Sequence, residues 1–126
     1  MIKSYLLCID IGTSACKVAL FNKEGQVKAA ANGDYPVYYP HEGWAEQNPE
    51  EWWDAVCRAT KETIQKADIT ADEIAGIGID GQSWSAIPID REGNVLANTP
   101  IWMDTRAQSI CDRLNQEIGQ EEIFEV

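Results

Sequence analysis

Asp10-Ile11-Gly12-Thr13-Ser14, with Lys17 three residues further on, is the segment of this chain best suited to chemistry. The stretch before it, Tyr5–Ile11, is apolar and β-prone, so Asp10 falls near the end of a strand that tends to be buried. A carboxylate is costly to hide unless it holds a metal ion or a proton. Gly12 lets a ligand approach the backbone, while Thr13 and Ser14 bring hydroxyl and amide donors. A tight turn with free N–H groups can cradle a phosphate, and Lys17 adds a positive charge nearby. The same residues also make an ordinary hairpin turn, and spacing by itself leaves both readings open.

The elements that must position this segment follow from periodicity. Ala15–Asn22 alternates, with Cys16, Val18 and Leu20 on one side and Lys17, Ala19 and Phe21 on the other. Lys23-Glu24-Gly25-Gln26 reads as a turn, and Val27–Tyr35 as a third strand of an antiparallel meander. Asn48 is placed to cap a helix with Pro49 at its first position and Glu50 and Glu51 in its first turn. The spacing of Trp52, Val56, Ala59, Thr63 and Ala67 predicts a helix from Pro49 to about Lys66. Trp52 and Trp53, adjacent on it, cannot share a face. After a short capped turn at Thr70–Glu73, Ile74–Asp80 is apolar on both faces. That suits a buried strand, parallel to the first, with the helix as its crossover. A small hairpin over 86–97, a short strand at Ile101–Met103 and a helix from Thr105 to Glu117 capped by Asp104 complete a mixed α/β reading.

Composition narrows the class. Of 126 residues, 44% are hydrophobic and 25% charged, which rules out disorder. Ten Lys and Arg stand against 21 Asp and Glu, a net charge of −11 that repels nucleic acid and anionic membrane as partners. No apolar run reaches the roughly 20 residues that span a bilayer, and Asp10 interrupts the short N-terminal apolar stretch before it can read as a signal peptide. Cys8, Cys16, Cys57 and Cys111 lack C-x-x-C spacing and His41 is the sole histidine, so a zinc site is not expected. The cysteines are read as reduced and mostly buried, and the chain as cytoplasmic.

Four segments together carry a resemblance. Asp10–Ser14 with Lys17 resembles the first phosphate loop of the FGGY carbohydrate kinases, within the actin, Hsp70 and hexokinase group. Gly43-Trp44-Ala45-Glu46-Gln47-Asn48-Pro49-Glu50-Glu51-Trp52-Trp53 resembles that family's W-x-E-Q-x-P-x-x-W-W stretch. Ile77–Gln82 resembles its G-I-x-x-Q segment, and Ile101–Arg106 its I-x-W-x-D-x-R segment. Xylulokinase-like members are the nearest kind. The resemblance implies a ribonuclease H-like mixed sheet with flanking helices, truncated, so that residues 1–126 would be the N-terminal portion of the first kinase domain, with the second domain absent. It implies ATP and Mg2+ as cofactors, with Asp10 as catalytic and metal-holding residue. Gly12, Thr13, Ser14 and Lys17 would face the phosphates.

The segment after G-I-x-x-Q lines the sugar pocket in that family, which nominates Gln82, Ser83 and Trp84, and with them Trp102 and Asp104. Xylulokinases usually have Met-His where this chain has Ser83-Trp84, and glycerol kinases Arg-Glu, a departure that argues against glycerol. A Trp offers an apolar face to the C–H side of a sugar and one N–H donor. Core packing competes for Trp84 and Trp102, and a helix cap or an Arg106 partner for Asp104. The implied reaction is transfer of the γ-phosphate to a hydroxyl of a small sugar, a ketopentose such as xylulose. The general base, second phosphate loop and adenine pocket would lie beyond residue 126, so these residues alone are expected to phosphorylate no sugar. Rival readings are an actin- or Hsp70-like ATPase without a sugar, and a non-catalytic module. An unfinished sheet would expose an edge that invites self-association.

Overall fold

The computed structural model describes residues 4–124; the start of the N-terminal apolar stretch (1–3) and the end of the tail (125–126) lie outside the described residues. Strands β1 (Tyr5–Ile11), β2 (Ala15–Phe21) and β3 (Val27–Asp34) form the expected meander. The two-residue β4 (Glu46–Gln47) leads into helix α1 (Pro49–Ala67), and β5 (Ile74–Gly81) returns to pair with β1 in parallel. Sheet order is β3-β2-β1-β5, with three antiparallel strands and one parallel. A second small ladder joins β4 to β6 (Thr99–Pro100), and α2 (Gln108–Glu117) and α3 (Gln120–Phe124) follow.

Alternation decides which face is buried. Leu7 and Ile9 of β1, Cys16, Val18 and Leu20 of β2 and Ala31 of β3 point to one side, where α1 brings Ala55, Val56 and Ala59. Leu7, Val18 and Leu20 are essentially sealed, and burying each such side chain contributes about 1.5–3 kcal/mol. The helix starts where its capping residues require: the Asn48 side chain accepts from the Glu50 N–H at 3.0 Å. It approaches β3 so closely that a Cβ added to Gly33 would lie 2.8 Å from both Cβ and O of Ala55. Trp52 turns inward while Trp53 stays 65% exposed, the division that adjacent positions on a helix impose.

β5 corrects one expectation. It is parallel, as its crossover demands, but not buried: Ile77 is 61% and Ile79 72% exposed. Helix α1 lies over β3 and β2 and only grazes β1. The space between α1 and β5 is left as an open apolar concavity of about 590 Å3 beside Ile9, Trp52, Val56, Ile77 and Ile79. A sequence apolar on both faces suits a strand covered on both, and no described element supplies the covers. The cysteines are free as expected, but only Cys16 is buried, while Cys8 and Cys111 are exposed.

The C-terminal third departs further. The hairpin over 86–97 reduces to a single bridge, Ile89–Val95, around a turn in which the Asp90 carboxylate accepts from the N–H groups of Glu92 and Asn94. Residues 101–103 are not a strand; the pairing falls just before them, at Thr99–Pro100. Nor does Asp104 cap α2, which begins at Gln108 after Ala107. Its carboxylate is taken instead by Arg106, through Nε at 2.8 Å and Nη2 at 2.7 Å, and by the Ala45 N–H at 2.8 Å. Arg106 also reaches Glu46 at 2.7 Å and lies 3.7 Å above the Trp44 ring. This clamp fastens 101–106 onto 43–47.

Two outcomes follow. Gly33→Val should force α1 off β3 and lower stability by about 1–3 kcal/mol, read from urea unfolding; an unchanged midpoint would contradict the close approach. Hydrogen bonds from Arg106 hold the Asp104 carboxyl down at about 2. A carboxylate whose pKa is depressed on folding stabilises above its unfolded value, about 3.9, and loses that contribution as pH falls through its folded one. The stability gap between wild type and Asp104→Asn should therefore be constant above about pH 5 and narrow between about pH 4 and 2. A gap independent of pH would show that the charge on Asp104 contributes nothing.

Candidate active site

Asp10 lies on the sheet face opposite α1. Register sets Asp80 of β5 beside it on one side and Lys17 of β2 on the other, and paired residues share a face. The three line an opening of about 450 Å3, together with Cys8, Ala19, Phe21 and Gly78. Asp80 accepts from the Gly81 N–H at 2.8 Å, while among the described residues nothing donates to the Asp10 carboxylate. Sequence reasoning passed over Asp80. Its signal was there: β1 and β5 both end in Ile-Asp followed closely by glycine, and parallel pairing turns that echo into a pair of carboxylates.

The turn after β1 is held from the inside. The Gly12 N–H donates to Ala15 O at 3.1 Å and closes it. The Tyr35 hydroxyl donates to the Gly12 carbonyl, and Gln47 Nε2 donates to the Thr13 carbonyl at 2.7 Å. Both anchoring side chains are buried, so the turn's carbonyls are drawn toward the interior. Among the described residues nothing accepts from the N–H of Thr13 or Ser14. A Cβ on Gly12 would sit 3.1 Å from Ala15 O and 4.0 Å from Asp10 Oδ1, within the turn itself. Carbonyls engaged from the core and amides without acceptors leave donors available to an anion.

These groups fit a phosphate with its metal ion. Two carboxylates on neighbouring strands repel each other unless a cation or a proton lies near them. Among the described residues no three metal-binding side chains cluster. Mg2+ suits such a place, since it commonly binds one or two carboxylates and completes its shell with water and phosphate oxygen. Burial, and after it the Asp10 charge, pushes the Cys16 thiol up, so this sealed cysteine stays neutral. Burial does the same to Tyr35, which remains a hydrogen-bond donor to the turn.

The residues nominated for the sugar side are distributed unevenly. Gln82 continues the β1–β5 ladder, its N–H donating to Ile11 O at 2.9 Å, and its Nε2 donates to Gln47 Oε1 at 2.8 Å. Trp102 is 59% exposed and its Nε1 donates to Thr13 Oγ1 at 2.9 Å, directly on the phosphate turn rather than apart from it. Ser83 is exposed, and Trp84 is 93% exposed with φ at 69°. Core packing therefore accounts for neither Trp84 nor Trp102. Asp104 is spoken for by Arg106 and Ala45. The structure thus joins Gln82 and Trp102 to the turn, leaves Trp84 in solvent and commits Asp104 to the clamp.

Comparison with known proteins places the chain in a family. Residues 5–126 match the N-terminal domain of the FGGY family of carbohydrate kinases. A glycerol kinase of Thermococcus gammatolerans is 34% identical over 115 residues, covering 91% of this chain and 23% of the relative. The structure of a ligand-bound xylulose kinase from Lactobacillus acidophilus is similar with a TM-score of 0.87 at 28% identity, over 95% of this chain and 24% of that one. The glycerol kinase of Plasmodium falciparum, solved with ADP, reaches a TM-score of 0.84 at 25% identity, over 93% and 24%. The chain spans about a quarter of the length of each. Relatives named for glycerol as well as for xylulose do not fix the substrate as a ketopentose. Among the described residues no helix is long and apolar enough to cross a membrane. On its sequence match and on the fold it shares with these kinases, the chain belongs to the FGGY family of carbohydrate kinases.

Proposed function

We propose that this domain supplies the phosphate turn and one wall of the acceptor site of an ATP-dependent kinase acting on a small sugar or polyol. The observation that carries the reading is the Gly12–Ser14 turn, its carbonyls held from within and its amides free, beside the Asp10–Asp80 pair. In this reading the Thr13 and Ser14 amides and Lys17 receive phosphate oxygens. Asp10, with Asp80 next to it, holds the metal ion. Magnesium, when bound, would supply neutralisation of the phosphate charge, on which phosphoryl transfer largely depends together with positioning. ADP in the Plasmodium falciparum relative supports an adenine nucleotide as phosphate donor.

On the acceptor side, Trp102 stands at the edge of the turn, with its indole N–H fixed on Thr13 and its ring open to a ligand. Gln82 is held beside the same turn through Gln47. Trp84 would close on the C–H face of the acceptor. Its left-handed backbone is strained for an aromatic residue, and exposed strain of this kind collects at ligand sites. Asp104 serves this site through its clamp, by setting where Trp102 falls. The finer reading of the acceptor is a ketopentose such as xylulose, supported by the xylulose kinase likeness. The proton acceptor for its hydroxyl is assigned to chain outside these residues, since none here matches the family's base motif. The absence of nucleic-acid or membrane partners accords with the charge of −11, and a cytoplasmic place with free cysteines.

The direct test is magnesium-dependent phosphorylation of xylulose, ribulose, gluconate and glycerol by the full-length protein. Preference for xylulose or ribulose supports the finer reading, and preference for glycerol overturns it. Asp10→Asn should leave folding intact and lower transfer by on the order of 10²–10⁴-fold. Near-normal turnover would remove Asp10 from the site. Trp84→Asn retains a residue tolerant of positive φ while deleting the ring. It should raise the acceptor KM by roughly 2- to 13-fold, the range corresponding to about 0.5–1.5 kcal/mol of aromatic contact, with little change in Tm. An unaltered KM would leave Trp84 outside the acceptor site.

A further inference from the structure

We propose that Gln47 is a positioning residue that sets the spacing between the phosphate turn and the acceptor wall; the proposal rests on the phosphotransfer reading above. Gln47 is fully buried, and every hydrogen-bonding position of its amide is used. Nε2 donates to Thr13 O at 2.7 Å and to Pro36 O at 3.2 Å. Oε1 accepts from Trp52 Nε1 at 3.1 Å and from Gln82 Nε2 at 2.8 Å. Two carbonyls on one side and an indole N–H on the other leave the amide a single orientation.

That orientation has a consequence for Gln82. Because Gln47 presents only an acceptor to it, Gln82 must turn its NH2 inward, and its own Oε1 is left without a partner among the described residues. The Gln47 backbone reaches the third group of the site as well. β4 pairs with β6, Gln47 opposite Thr99, three residues before Trp102. Thr13 and Gln82 are thus both referenced to one buried side-chain amide, and the segment that carries Trp102 to the backbone of the same residue. Rigid support of this kind fixes reacting groups in transfer reactions, where displacement by an ångström is costly.

The test uses the full-length protein with Gln47→Met, which deletes the amide at similar volume, and Gln47→Asn, which keeps the amide but shortens its reach. The readout is the ratio of ATP hydrolysed to water to ATP transferred to acceptor. This ratio does not depend on how much protein is folded. Both variants should raise it, Gln47→Met on the order of tenfold. Hydrogen exchange should rise together in residues 11–14 and 81–85 while β2 and β3 stay protected. A ratio equal to wild type, with activity falling only as the folded fraction falls, would overturn the proposal. Should wild type transfer no phosphate, the kinase reading fails, and exchange then decides alone. Loosening of both segments sustains the link through Gln47, and loosening of one overturns it.

Discussion

Parallel pairing of β5 with β1 is the constraint from which the site follows. A parallel neighbour cannot be reached by a tight turn, so the chain must cross over one face of the sheet, and α1 makes that crossing. The helix claims the face that carries Leu7, Ile9, Val18 and Leu20. Asp10, one residue out of phase with them, is thereby assigned to the opposite face, and in-register pairing lays Asp80 alongside it. One topological requirement thus separates the apolar core from the carboxylates and brings the carboxylates together.

The turn beyond β1 shows how buried side chains can shape a polar site they never enter. Tyr35 and Gln47 approach from the core and engage carbonyls, while the amides of Thr13 and Ser14 have no acceptor among the described residues. The turn's polarity is therefore set from beneath, by a neutral amide and a phenol that burial keeps protonated. The Asp104–Arg106 clamp does comparable work for Trp102, since it fastens the segment that carries the indole against 43–47. The clamp is charge-assisted and every position of the Gln47 amide is used, and hydrogen bonds of both kinds rigidify what they hold.

Much of this was legible beforehand. The meander and α1, with its Asn48 cap and Pro49 start, follow from local propensity and period, which are properties of neighbouring residues. The turn from Gly12 to Ser14 was likewise expected from its residue types, while its role rested on the resemblance. Less could be read after Gly81, where short pairings replace continuous elements. There Thr99–Pro100 rather than Ile101–Met103 became the strand, and Asp104, a plausible cap by type, went to Arg106. An Asp before a helix reads as a cap in any sequence; only the arrival of a guanidinium from the next turn of chain redirects it.

Sequence alone determined that a turn follows β1, because Gly-Thr-Ser after an apolar strand is turn-forming wherever it is placed, and it nominated the residues of that turn for a phosphate. Tertiary structure alone decided their company. Asp80 gained its meaning from parallel register, and Gln47 its importance from four partners spread over residues 13–82. Exposure of β5 was likewise a matter of coverage: its apolar composition says that both faces tend to be buried, but not whether a neighbouring element lies over them. Period and propensity are local quantities, whereas register, coverage and hydrogen-bond partnership depend on segments that meet only after the chain has folded.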